Sequence, residues 1–209
     1  MDRKGILLVV SGFSGAGKGT LMKELVSRYD NYALSISATT RSPREGEVDG
    51  REYFFRTKEE FEQMIADEAL IEHACYVGNY YGTPRAYVEE QLALGRDVIL
   101  EIEIQGALQI KKRFPDTLLL FVSTPDAETL KNRLIGRGTE GLDVVEKRLS
   151  RASEEAEGIE NYDYFIINDD LDTCVTQVHQ IIQGEHSRVS RNLELINTIK
   201  KDISKFQKG

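Results

Sequence analysis

The sequence predicts an α/β fold, a parallel sheet flanked by helices with a smaller α+β piece inserted. Three observations lead there. Short, nearly continuous apolar runs alternate with stretches of helical periodicity, the pattern of parallel strands buried on both faces and joined by covering helices. A glycine-rich loop, "SGFSGAGKGT", joins the first run to the first helical stretch. The alternation then stops between residues 37 and 81, where turn residues, charges and aromatics take over.

The apolar runs are residues 6–10, 98–100, 118–122 and 164–167. After the loop, Leu21, Met22, Leu25, Val26 and Tyr29 recur at helical spacing, so the loop opens a helix. In the inserted stretch, "RSPREGEVDGREYFF" reads as turns before a short aromatic strand. Thr57, with Glu60 three residues on, forms a capping box for the helix "KEEFEQMIADEAL". Thr83-Pro84 starts a further helix, with proline at its favoured first position. The glycines of "GRGTEGLD" suggest a mobile segment between helices. Beyond Gln183 the chain reads as a polar, weakly amphipathic helical tail.

Composition bounds the function. With 209 residues, 40% hydrophobic and 30% charged, the chain carries one ordinary globular core. No apolar stretch approaches the roughly 20 residues that span a bilayer, and the N-terminus lacks a signal-peptide pattern. Cys75 and Cys174 show no metal-ligand spacing and read as reduced thiols, so the chain is expected to be cytoplasmic. A net charge of −8 speaks against nucleic acid or an anionic membrane as partner. An anionic ligand therefore needs a local cluster of Arg and Lys. Monomer and homo-oligomer both stay open.

The loop supplies one anion site. Gly12, Gly17 and Lys18 match the phosphate-cradling pattern G-x-x-x-x-G-K-[ST]. Across Gly12, Phe13, Ser14, Gly15, Ala16 and Gly17 the backbone can turn its N–H groups inward as an anion nest, and the helix start adds its positive end. Lys18 adds a mobile charge for the β and γ phosphates. Gly19 stands where the pattern asks for a magnesium-holding hydroxyl, with Thr20 one place on. Either the loop is inactive or the hydroxyl's task has moved. In "EIEIQG", Glu101 and Glu103 lie two apart at the end of an apolar strand, so both are expected on one face, where open α/β sheets bind ligands.

Beyond the loop, "SATTRSPREGEVDGREYFF", "IEHACYVGNYYGTP", "EIEIQG", "NRLIGRGTE", "EKRL" and "INDD" together strongly resemble the guanylate kinases, a family of nucleoside monophosphate kinases. The resemblance runs from Gly5 to about Ile182. It implies a P-loop kinase core (about 1–36, 82–136 and 150–183), a GMP-binding subdomain (about 37–81), a lid (about 137–149) and a tail (about 184–209) outside the match. It also implies transfer of a phosphoryl group from ATP to GMP, giving ADP and GDP, with Mg²⁺.

Residue by residue, the resemblance makes Glu72 the two-pronged acceptor for guanine, with Ser37 and Thr83 as hydroxyl donors and Glu103 as a second acidic contact. Arg41, Arg44, Tyr53 and Tyr81 become the phosphate ligands of GMP. Lys18, Arg133, Arg137 and Arg148 become the cations around the moving phosphoryl group, and Asn168-Asp169 the adenine-side pair. Glu101 is the candidate organiser of waters on Mg²⁺. The departures are Phe13 for a common proline, Gly19-Thr20 for Ser-Ser or Ser-Thr, and glutamates at 101 and 103 for aspartates.

Read without the resemblance, Glu72 also fits an exposed strand glutamate, Thr83 an N-cap and Thr20 a surface threonine. Arg41 and Arg44 suit a solvated loop, Arg133 an exposed helix face, and Asn168-Asp169 a turn. Two other functions compete: another small-molecule P-loop kinase, or a guanylate-kinase-like module that binds a phosphopeptide. Lys18 and the arginines favour an enzyme, and Glu72 with Ser37 and Thr83 favours a guanine reader.

Overall fold

A computed structural model describes residues 4–76, 78–136 and 142–207. The chain runs β1 (Leu7–Gly12), α1 (Lys18–Arg28), β2 (Tyr32–Leu34), β3 (Ala38–Thr39), β4 (Phe54–Phe55) and α2 (Lys58–Ala66). It continues through β5 (Leu70–Tyr76), β6 (Asn79–Pro84), α3 (Arg85–Ala93), β7 (Asp97–Glu101), α4 (Ile104–Arg113) and β8 (Leu118–Ser123). Last come α5 (Ala127–Gly136), α6 (Leu142–Ala156), β9 (Tyr164–Ile167), α7 (Leu171–His186) and α8 (Leu193–Ser204).

Five strands form one sheet in the order β2-β7-β1-β8-β9, every neighbouring pair parallel. Alternate residues of β1 face opposite layers, as the period of a strand dictates. Leu8 and Val10 pack with Leu21, Met22 and Leu25 of α1 and with Val175, Val178 and Ile182 of α7. Leu7 and Val9 pack the other way, with Val88 of α3 and Ala107 and Ile110 of α4. Both faces of β1 and β8 are covered, which is why these strands are apolar at nearly every position. Each such side chain contributes about 1.5–3 kcal/mol when fully buried.

The insertion folds as a second sheet, in the order β4-β3-β6-β5. β3 runs parallel to β4 and antiparallel to β6, which is antiparallel to β5. α2 closes it by burying Phe61 against Ala38 and Leu70. The expected capping box is present: Thr57 Oγ1 accepts from Glu60 N–H at 3.1 Å, and Glu60 Oε2 accepts from Thr57 N–H at 2.7 Å.

Several expectations need correction. Thr83 does not cap a helix. Both Thr83 and Pro84 still pair with β5, so Pro84 becomes the residue before α3 rather than its first helical residue. β7 ends at Glu101, and Glu103 stands at the N-cap position of α4 with extended φ and ψ. The two glutamates therefore reach the same cleft from a strand end and a helix start, not from one strand face. α7 continues through Gly184 to His186, held by the buried Glu185, and a 3₁₀ turn at Val189–Asn192 separates it from α8. Leu193, Ile199, Ile203 and Phe206 of this tail are exposed. Of the expected lid, 137–141 lie outside the described residues and 142–149 begin α6. Among the described residues, no helix is long and apolar enough to cross a membrane.

Candidate active site

The phosphate loop is built by backbone approach. At Gly12, a β-carbon would fall 2.0 Å from the carbonyl oxygen of Val122 on the neighbouring β8. At Gly17, the N-cap of α1, φ is 88° and a β-carbon would fall 2.6 Å from Asn168 Nδ2. Only glycine meets both demands at Gly17. Asn168 Nδ2 donates to Ala16 O at 2.8 Å, and Asn168 N–H donates to Ser123 O at 2.8 Å. A residue expected on the adenine side is thus a buried brace of the loop, while Asp169 is exposed.

Lys18 Nζ donates to Gly12 O at 2.7 Å and Phe13 O at 3.2 Å, lying across the loop it serves. A methyl group placed on Gly19 would lie 3.9 Å from Glu101 Oε2. The position that lacks the hydroxyl and the strand-end carboxylate are therefore neighbours. Glu101 opens toward the cleft but is crowded by protein atoms. That crowding raises its pKa, while the charges of Lys18 and Lys23 lower it. Thr20 is exposed in the first turn of α1.

Arg148 of α6 donates to Ser14 Oγ at 3.1 Å, so it reaches the loop directly. Arg133, in the last turn of α5, is half-buried and does not line the cleft. Arg137 lies outside the described residues.

A cavity of about 390 Å³ opens from this loop into the insertion. Gly12, Ser14 and Lys18 line one end, and Ser37, Arg41, Arg44, Tyr53, Glu72 and Tyr81 the other. Glu101 and Glu103 line it too, Glu101 near enough to Lys18 and Glu103 to Glu72 for their charges to interact. Glu72, paired in register with Thr83, is 4% exposed and accepts from Thr83 Oγ1 at 2.8 Å. Burial pushes its pKa up to about 7; the Thr83 bonds oppose this and the charge of Glu103 adds to it. Thr83 is fully buried behind Glu72 and does not line the cavity. The first turn of α4 backs the carboxylate, since a methyl on Gly106 would stand 3.0 Å from Glu72 Oε2.

The Arg41 guanidinium lies over Tyr53 at 5.3 Å and Phe55 at 5.7 Å. The Tyr53 and Tyr81 rings meet edge to face at 6.0 Å. One residue of this group was absent from the sequence reading. Glu47 also lines the cavity and accepts two bonds from Arg41 Nη2 at 2.9 Å. Its available signal was the turn "REGE", in which Glu47 N–H donates to Arg44 O at 3.1 Å.

A phosphate loop at one end of a cleft, with arginines, phenols and a buried carboxylate at the other, is the site of a P-loop nucleoside monophosphate kinase. Comparison with known proteins agrees. The guanylate kinase family matches residues 4–185. A guanylate kinase of Bacillus anthracis is 53% identical over 191 residues, 91% of this chain and 93% of that protein. One from Streptococcus thermophilus is 50% identical over 192 residues, with 91% and 92% covered. The crystal structure of guanylate kinase from Anaplasma phagocytophilum superposes with a TM-score of 0.74 at 30% identity, covering 90% of this chain and 89% of that one. The chain belongs to the guanylate kinase family.

Proposed function

We propose that the protein transfers the γ-phosphoryl group of ATP to GMP, giving ADP and GDP. The observation that carries this reading is one cavity shared by Lys18 at one end and Glu72 at the other. A carboxylate there can accept from both the N1–H and the 2-amino group of guanine, an edge adenine does not present. A buried acceptor left unpaired by the wrong base supports strong discrimination.

The reaction asks little covalent chemistry of the chain. An oxygen of the GMP phosphate attacks the γ-phosphorus, the bond to the ADP oxygen breaks, and the charges of reactants and products balance without a proton transfer. The chain's task is to align two anions and to neutralise charge. Arg41, Arg44, Tyr53 and Tyr81 are suited to hold the acceptor phosphate, and Lys18 and Arg148, both at the phosphate loop, are suited to the donor. Arg133 and Arg137 are proposed to join from the lid side, and Asn168 to keep the loop in shape for ATP.

Magnesium would arrive with ATP and supply charge neutralisation on its phosphates. It keeps several waters and needs few protein ligands. Glu101, opening to the cleft beside Gly19, fits a role in holding that water shell. The acidic composition and the two free cysteines support a cytoplasmic setting.

The deciding experiment couples ADP formation to an optical signal with ATP and each nucleoside monophosphate in turn. ADP release dependent on GMP, and weak with AMP, is expected. Equal release with and without GMP overturns the proposal.

A further inference from the structure

An acid inside an anion site is an unexpected choice. Glu47 takes both oxygens to Arg41 Nη2 at 2.9 Å, and its Oε2 also accepts from Arg44 N–H at 2.7 Å. Arg41 Nη1 donates to Ser42 O at 2.7 Å, closing the same loop. The two side chains are partly shielded, Arg41 being 16% and Glu47 17% exposed. The Arg44 backbone bond and the Arg41 guanidinium hold the Glu47 carboxyl below its ordinary range, so it remains a carboxylate.

We propose that Glu47 is a positioning residue for the acceptor phosphate, acting through Arg41 and the Arg44 backbone. This rests on the GMP-kinase reading above. Arginine is long and rotamer-rich, and ordering it when the ligand arrives would weaken binding. Glu47 fixes the guanidinium beforehand, with the rings of Tyr53 and Phe55 beneath it. Its negative charge also interacts with those of both Arg41 and Arg44, two cations that line the same cleft. A rival role exists for the same contact: Glu47 could act as an internal competitor that phosphate must displace. The second tie, to the Arg44 N–H, favours positioning, because a competitor needs no grip on the loop itself.

The experiment compares wild type, Glu47→Ala and Glu47→Asp by steady-state kinetics and by calorimetric binding of GMP and of guanosine. In Glu47→Ala the KM for GMP should rise about tenfold, the usual scale for a lost charge-assisted contact, with a smaller change in kcat and little in the KM for ATP. Guanosine, which has no phosphate, should bind both proteins equally. Glu47→Asp should recover part of the loss. In an Arg41→Ala background, removing Glu47 should raise the KM for GMP by a smaller factor than in wild type, the remainder coming from its tie to the Arg44 N–H. An unchanged or lower KM for GMP overturns the proposal and, if lower, identifies the competitor. Equal weakening of GMP and guanosine also overturns it, by pointing to a collapsed subdomain. If the GMP-kinase reading itself is wrong, wild type will neither bind GMP nor release ADP in response to it, which is a different outcome from all of these.

Discussion

Thr83 and Glu72 face each other across the β5–β6 pair, with Thr83 Oγ1 donating to Glu72 Oε1 at 2.8 Å and both side chains buried. The proposed guanine acceptor is thus held by Thr83, through its hydroxyl and its backbone, in a place that otherwise disfavours its charge. Two measurable consequences follow from its pKa of about 7.

The proposed acceptor role requires the ionised form, so kcat/KM for GMP should rise as pH increases through about 7. The phosphate of GMP itself titrates near pH 6, as phosphate monoesters do. Glu72→Gln separates the two effects: it should lower kcat/KM for GMP and remove the component near 7 while leaving the lower one. A profile of unchanged shape in Glu72→Gln refutes the assignment. Stability moves the other way. The folded carboxyl lies above its ordinary value, so the unfolded chain ionises first. The group's contribution is full in acid and is lost as pH rises toward about 7. Glu72→Gln should therefore gain stability relative to wild type on going from pH 5 to pH 8, read by denaturant unfolding.

Glu101 beside Gly19 predicts a different split. Glu101→Gln should lower kcat roughly 10- to 100-fold, the range for residues that orient a metal's ligands. ATP affinity should change much less, because Lys18 and the loop amides remain. Turnover at saturating magnesium close to that of wild type would remove Glu101 from this role.

Gly17 allows a purely structural test. A β-carbon there meets Asn168 Nδ2 at 2.6 Å and strains a φ of 88°. Gly17→Ala should cost about 2 kcal/mol, the scale of an enforced left-handed residue plus a disturbed hydrogen bond. That corresponds to a drop of several degrees in thermal midpoint for a chain of this size. Asn168→Ala should weaken ATP binding by loosening the Ala16 tie, without the backbone strain. A melting temperature unchanged in Gly17→Ala counts against this packing account.

What the sequence disclosed was local. The loop, the capping box at Thr57 and the apolar strands each rest on neighbours a few residues away, and all three are present. Long-range relations were harder. Thr83 read alone could be an N-cap, because its pairing with Glu72 depends on the register of a hairpin. Glu103 looked like a strand residue because neighbouring strands, not Glu103 itself, decide where β7 ends. β2 is three residues long and too short to display a period. Glu47 was missed because its charge has the wrong sign for an anion site, and only the geometry pairs it with Arg41.

Phe13, which stands where a proline is common, packs against the main core beside α1 and also against Leu130, Leu134 and Ala152 of α5 and α6. Its ring meets Phe121 of β8 edge-on at 5.0 Å. A single side chain shared by two hydrophobic clusters couples them, since loosening either removes packing from the other. The helices that carry Arg133 and Arg148 are thereby tied to the loop that cradles phosphate. Proline would have stiffened the loop by itself; phenylalanine instead packs the loop against those helices and β8.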